Sequence, residues 1–141
     1  MTGGRGNDSL IGAEGNDVLK GGGGRDELFG GEGNDILKGG GGRDTLTGDE
    51  GDDELDGGNG NDLLTGGDGG DVFVFSRGHD TVTDFEQGDD QIDVSRYADD
   101  FGHVLAAASQ DGSDTVLEFG PHSMRIEDFS VGQLDSDDFI F

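Results

Sequence analysis

The sequence has no cysteine, only 8 Lys+Arg residues, and no long apolar run. Without cysteine there is neither a disulfide framework nor a thiolate metal site, so an exported domain of this size needs another staple. Against those 8 cations stand 33 Asp+Glu, for a formal net charge of −25. Such a chain repels nucleic acid and anionic membrane surfaces, and cations are its natural partners. No segment approaches the ~20 apolar residues of a membrane span, so membrane insertion is not expected. The first residues lack a basic start followed by an apolar stretch, so a classical cleaved leader is not indicated.

Catalytic signatures are missing as well. No GK[ST] follows any glycine cluster, "DEGDD" lacks the spacing of an EF-hand loop, and His79, His103 and His122 are scattered without an HExxH pattern. No nucleophile, base and orienter come together, so the chain is expected to be non-catalytic. Any chemistry of a larger parent protein would lie in another domain, N-terminal to this one.

What the chain does have is 31 Gly with 29% hydrophobic residues, a balance that predicts disorder unless something neutralises the acid. Yet from Gly3 it divides into eight nine-residue units: GGRGNDSLI, GAEGNDVLK, GGGGRDELF, GGEGNDILK, GGGGRDTLT, GDEGDDELD, GGNGNDLLT and GGDGGDVFV. Positions one and four are always Gly. Position six is always Asp: Asp8, Asp17, Asp26, Asp35, Asp44, Asp53, Asp62 and Asp71. Position eight is Leu10, Leu19, Leu28, Leu37, Leu46, Leu55, Leu64 and Phe73.

One large apolar side chain per nine residues cannot make a helix face. It suits a three-residue strand whose middle residue points inward, after a six-residue glycine loop. Two units then complete one turn of a flattened solenoid, and turns stack at ~4.8 Å with units n and n+2 in register. Aspartates repeated at that spacing along each edge repel by ~1 kcal/mol per pair even at water's dielectric. A hard dication between successive loops reverses the sign. Calcium, with its 6 to 8 oxygen ligands and tolerant geometry, fits carbonyl-rich loops better than magnesium does.

These residues resemble the repeats-in-toxin (RTX) β-roll of serralysin-type proteases, haemolysin-type toxins and alginate epimerase accessory modules. The resemblance implies an all-β fold, a right-handed parallel β-roll with a small β-rich C-terminal cap. It places each calcium between loops n and n+2, with every Asp bridging two ions, one per carboxylate oxygen. One site would use the carbonyls of Gly22 and Gly24 and Asp26, with those of Gly39 and Gly41 and Asp44. An even-side site would use Ala13, Gly15 and Asp17 with Gly30, Glu32 and Asp35.

Carried along the columns, the resemblance adds the carbonyls of Gly4, Gly6, Gly21, Gly23, Gly31, Gly33, Gly40, Gly42, Gly48, Asp49, Glu50, Gly51, Gly57, Gly58, Asn59, Gly60, Gly66 and Asp68. Eight units pair n with n+2 six times, which implies about six ions, and up to eight if Asp80 and Asp90 bind too. Ala13 and Asp49 stand where the pattern has glycine. If that position needs positive φ, Ala13 costs ~1 kcal/mol. Glu14, Glu32, Glu50 and Asp68 make the even edge the more acidic, and it is expected to be the more calcium-dependent.

After Val74 the period decays. "FSRGHDTVT" keeps Gly78, Asp80 and Val82, and "QGDDQIDV" offers Gly88, Asp90 and Ile92 shifted by one residue. The roll is expected over 3–83 and a cap over 84–141. Strands are predicted at 104–109, 115–119, 124–126 and in the final "DFIF", with a helical turn near 131–134. Phe85, Phe101, Phe119, Phe129, Phe139 and Phe141 are the predicted cap core. The ending Asp138–Phe141 resembles the uncleaved signal that RTX proteins present to a type I (ABC) secretion apparatus.

The reading is a secreted, extracellular calcium module that folds outside the cell. A polysaccharide-binding module of the alginate type is the alternative, with Arg5, Lys20, Arg25, Lys38 and Arg43 as its sparse basic track. Ice binding would want ranks of Thr or Asn in the outward strand positions, and Ser9, Glu27, Thr45, Leu63 and Val18, Ile36, Glu54, Val72 do not supply them.

Overall fold

The computed structural model describes residues 1–141. Eight strands follow the repeat: β1 (Thr2–Arg5), β2 (Ser9–Glu14), β3 (Val18–Gly23), β4 (Glu27–Glu32), β5 (Ile36–Gly41), β6 (Thr45–Glu50), β7 (Glu54–Gly60) and β8 (Leu63–Asp68). Next come β9 (Val72–Val74), β10 (Arg77–Val82), β11 (Gln91–Asp93), a helix α1 (Phe101–Ala107), β12 (Ala108–Asp111), β13 (Asp114–Phe119), β14 (His122–Ile126) and β15 (Phe139–Ile140).

Odd strands β1, β3, β5 and β7 pair in parallel, as do even strands β2, β4, β6 and β8. Equivalent residues eighteen apart face each other, Leu19 opposite Leu37 and Leu28 opposite Leu46. This is the parallel β-roll that the repeat predicts. The eighth-position column is its core: Leu19, Leu28, Leu37, Leu46, Leu55, Leu64 and Phe73 are all 0% exposed.

The strands are six residues long in most turns. The three-residue expectation is therefore too short, because the ladder runs on through the first three positions of the next unit. That leaves a three-residue turn, and it explains the first-position glycine. An ideal Cβ on Gly39 would lie 2.5 Å from Asp44 Oδ2 and 2.7 Å from the Gly57 carbonyl oxygen. The aspartate fills the space a side chain would take. The second position has φ +114 at Gly22, and Ala13 and Asp49 are held at φ 90 and φ 80, the strained conformation anticipated for them.

Beyond β8 the regularity is replaced by a cap. β10 adds to β7 with Arg77 and Gly78, then to β8 with Thr81 and Val82, crossing from one sheet to the other. The odd sheet is finished by β9, β11 and β15 in parallel. The even sheet is finished by parallel β14 and then antiparallel β13 and β12. The open edges of β7 and β8 are thereby covered, and the sheets end instead on the short strands β15 and β12.

Two cap expectations need correction. Residues 104–107 are helical, not extended. Asp100 caps α1 by accepting from His103 N at 2.9 Å, and apolar Phe101, Val104 and Ala108 recur at helical spacing toward the core. Phe141 is 44% exposed and so is not core, whereas Phe75, at 1%, is central. Phe75 meets Tyr97 and Phe119 edge to face, with ring centroids 4.8 and 5.2 Å apart. The short 3₁₀ turn at Val131–Gln133 and the last strand β15 agree with the sequence reading.

Candidate metal centre

The sixth-position aspartates close the turns. Each backbone N–H donates to the Oδ1 of the aspartate one turn later. On the odd edge Asp8, Asp26 and Asp44 donate to Asp26, Asp44 and Asp62 at 2.8 Å, and Asp62 donates to Asp80 at 3.1 Å. On the even edge Asp17 and Asp35 donate to Asp35 and Asp53 at 2.7 Å, and Asp53 and Asp71 donate to Asp71 and Asp90 at 2.9 Å. The Asp90 link spans nineteen residues, so the one-residue slip read from the sequence is present in the fold.

The second oxygen is different. Oδ2 of Asp8, Asp26, Asp35, Asp44, Asp53, Asp62 and Asp71 is buried with no hydrogen-bond partner. A buried carboxylate oxygen left in this condition is costly unless a charge or a proton compensates it. Burial pushes Asp62 and Asp71 up to about 7, against a lowering hydrogen bond from the preceding turn, and their column neighbours push the same way. Asp53 is raised to about 6 by the same combination, and Asp44 is raised with burial as the main cause.

A hard dication fits this donor set. Seven unpartnered anionic oxygens line two columns, in turns made of glycine and its carbonyls. No three His, Cys, Asp or Glu side chains cluster to hold a metal, so backbone oxygens must complete any coordination shell. Some of those oxygens are already engaged. The third-position carbonyls of Gly23, Gly41 and Asn59 accept from Gly6, Gly24 and Gly42 N–H at 2.8 Å. Glu32 likewise accepts from Gly15 at 2.6 Å, and Glu50 and Asp68 from Gly33 and Gly51 at 2.8 Å. Each keeps one lone pair.

Asp80 and Asp90 continue the columns, but both of their oxygens are satisfied. Ser76 Oγ donates to Asp80 Oδ2 at 2.8 Å and accepts from Gly58 N at 3.3 Å. Glu86 N donates to Asp90 Oδ2 at 2.9 Å. Asp84 accepts from Gly66 and Gly67 N at 3.0 Å each. Ser76 and Asp84 escaped the sequence reading, although each lies eighteen residues after a glycine that it serves.

The histidines stay apart from the columns' open oxygens. His122 Nδ1 accepts from Gly78 N at 3.2 Å, and His79 Nδ1 meets Ser123 Oγ at 2.9 Å. At the C-terminus Asp138 is buried, with Oδ2 accepting from Asp135 N at 2.7 Å, while Phe139 and Ile140 form β15.

A parallel roll with two columns of buried, half-satisfied carboxylates is a cation-binding solenoid module. The RTX calcium-binding nonapeptide repeat model matches in four overlapping copies, at residues 2–37, 21–55, 29–64 and 47–82. The chain belongs to that family, and its repeats bind calcium. Comparison with curated proteins gives no match. Among solved structures, the extracellular lipase LipA from Serratia marcescens superposes with a TM-score of 0.54 at 19% identity, over 96% of this chain and 38% of the lipase. The AlgE6R3 subunit of the Azotobacter vinelandii mannuronan C5-epimerase gives 0.58 at 27% identity, over 99% of this chain and 80% of the subunit. The chain therefore spans well under half the length of the lipase. No helix is long and apolar enough to cross a membrane.

Proposed function

We propose that this module is a calcium-dependent folding switch of an exported bacterial protein, with the roll at 3–83 and its cap at 84–141. The observation that carries this reading is the pair of aspartate columns in which seven Oδ2 atoms, those of Asp8, Asp26, Asp35, Asp44, Asp53, Asp62 and Asp71, are buried without partners. Bound calcium supplies the positive charge that these oxygens lack. The six n/n+2 spaces between the eight regular units each hold one ion, flanked by Asp8 and Asp26, Asp26 and Asp44, or Asp44 and Asp62 on the odd edge. On the even edge the flanking pairs are Asp17 and Asp35, Asp35 and Asp53, and Asp53 and Asp71. Asp80 and Asp90 close the columns through Ser76 and Glu86. Carbonyls from the first four positions complete each shell.

In a low-calcium cytosol, repulsion along both columns keeps the chain extended and transportable. Outside, calcium at ~10⁻³ M suits the weak affinities of extracellular modules and couples binding to folding. Far-UV circular dichroism in calcium and in EGTA tests this reading. A spectrum already rich in β structure in EGTA at neutral pH would overturn it. We assign the C-terminal Asp138–Phe141 segment to recognition by a type I secretion apparatus. Its deletion should reduce export, and unchanged export removes the assignment.

The likeness to the epimerase subunit supports a second reading, an accessory module that holds a polyuronate. Lys20 and Lys38 stand in register on the odd sheet, although Lys38 pairs with Glu54 at 3.0 Å. Titration with alginate oligomers in calcium tests it: saturable NMR shifts at Lys20 and Lys38 favour it, and their absence removes it.

A further inference from the structure

Apart from the sixth-position aspartates and Glu27, which stands beside Arg25, the two edges of the roll carry opposite charge. The first five positions of the odd loops hold Arg5, Arg25, Arg43 and Arg77 and no Asp or Glu. The same positions of the even loops hold Glu14, Glu32, Glu50 and Asp68, together with Asp49 and Asp52, and no Lys or Arg. Glu14 faces Glu32, Glu32 faces Glu50, and Glu50 faces Asp68 in the parallel register. All of these side chains except the partly tied Asp52 are free of intramolecular hydrogen bonds, and all are exposed. The chain's ion pairs use Lys38, His103 and Arg125, never an odd-edge arginine.

We propose that the folded module self-associates laterally, the arginine edge of one copy lying against the acidic edge of the next. Glu14, Glu32 and Glu50 advance by one turn, ~4.8 Å, per charge. Arg5, Arg25 and Arg43 lie in three successive odd loops, Arg5 at the third position and Arg25 and Arg43 at the fifth; the next odd loop, 57–61, carries no arginine. A second copy displaced sideways, without rotation, therefore sets Arg5, Arg25 and Arg43 opposite Glu14, Glu32 and Glu50. A dissolved polyanion could use one row and would meet the full acidic field. A second copy uses both rows. Because the rows lie on opposite edges, the contact is heterologous and does not close, so growth is open-ended. Net negative charge opposes association, but that field is screened beyond ~8 Å at physiological ionic strength, whereas pairs in contact are not. Exposed pairs are individually weak, so the assembly forms at high protein concentration.

This inference rests on the calcium-loaded roll, so circular dichroism of each sample separates loss of folding from loss of association. Sedimentation equilibrium in saturating calcium at ~0.15 M salt should show a weight-average mass that rises with concentration without a plateau. The double variant R25E/R43E should weaken association at least tenfold, and so should E32K/E50K. Mixing the two variants should restore it. K20E/K38E changes the net charge as much as R25E/R43E does, but on a sheet face, and should leave association unchanged. A monomeric wild type at every concentration overturns the proposal. So does R25E/R43E associating like wild type, or K20E/K38E weakening association equally. A monomeric wild type that binds polyuronate oligomers through Arg25 and Arg43 would show instead that the odd edge reads a polyanion.

Discussion

Asp44→Asn should have opposite effects with and without calcium. Asp44 sits mid-column, its Oδ1 accepting from Asp26 N at 2.8 Å and its own N–H donating to Asp62 Oδ1 at 2.8 Å. Asparagine keeps an acceptor for the first bond and leaves the second untouched, so the change removes charge more than structure. Neighbouring carboxylates one turn away, ~4.8 Å, repel by about 0.9 kcal/mol at water's dielectric and about 3.5 kcal/mol at the value typical of partly buried sites. Asp44 has two such neighbours, Asp26 and Asp62, so the relief in the metal-free roll is ~2–7 kcal/mol.

The sign with pH follows from the raised carboxyl groups. Asp53 at about 6, and Asp62 and Asp71 at about 7, hold protons in the folded state that the unfolded chain gives up. The metal-free roll therefore gains stability as pH falls from about 7 to about 4, and loses it as pH rises back. In EGTA, β structure should appear on acidification, and Asp44→Asn should move that transition to higher pH. In calcium the same variant weakens the two ion sites that share Asp44 and should raise the calcium midpoint at least tenfold. Far-UV circular dichroism follows both titrations. If Asp44→Asn shifts the EGTA transition to lower pH, the like-charge account of the columns is wrong.

Leu37→Ala, at a fully buried position in the middle of the stack, should cost ~2–5 kcal/mol in calcium-saturated urea unfolding. Ala13→Gly should gain up to ~1 kcal/mol by relieving φ 90, read as a higher melting temperature in calcium. Gly42→Ala should abolish the cooperative calcium transition, since its Cβ would lie 1.7 Å from the Gly24 carbonyl oxygen. Ser76→Ala strips Asp80 Oδ2 of its partner and should cost ~1–3 kcal/mol by the same urea assay.

The roll was legible because its constraints recur. Leu28, Leu37 and Leu46 fall at a fixed interval that neither a helix nor an ordinary strand would generate, and Asp26, Asp35 and Asp44 mark the turns between them. Strand length was misjudged because glycine carries no burial signal. Gly39 lies inside a strand, and what excludes its side chain is Asp44, five residues on. The cap was legible only in parts. Local pattern favoured extension near Val104, but the Asp100 cap and the helical spacing of Phe101, Val104 and Ala108 prevailed. Ser76 and Asp84 act on glycines eighteen residues earlier, a pairing visible only once the chain is laid out by turns.

Within the regular units, the hydrogen bonds from Asp N–H to the carboxylate eighteen residues later mean that the fold counts in eighteens while the sequence counts in nines. Excising eighteen residues between Gly21 and Gly57 would shorten the roll by one turn and leave every column continuous. Excising nine would align every Gly, Asp and Leu equally well. Past the cut, however, odd units would become even, and arginines would land on the row of glutamates. Length in this molecule is quantised by charge as well as by geometry.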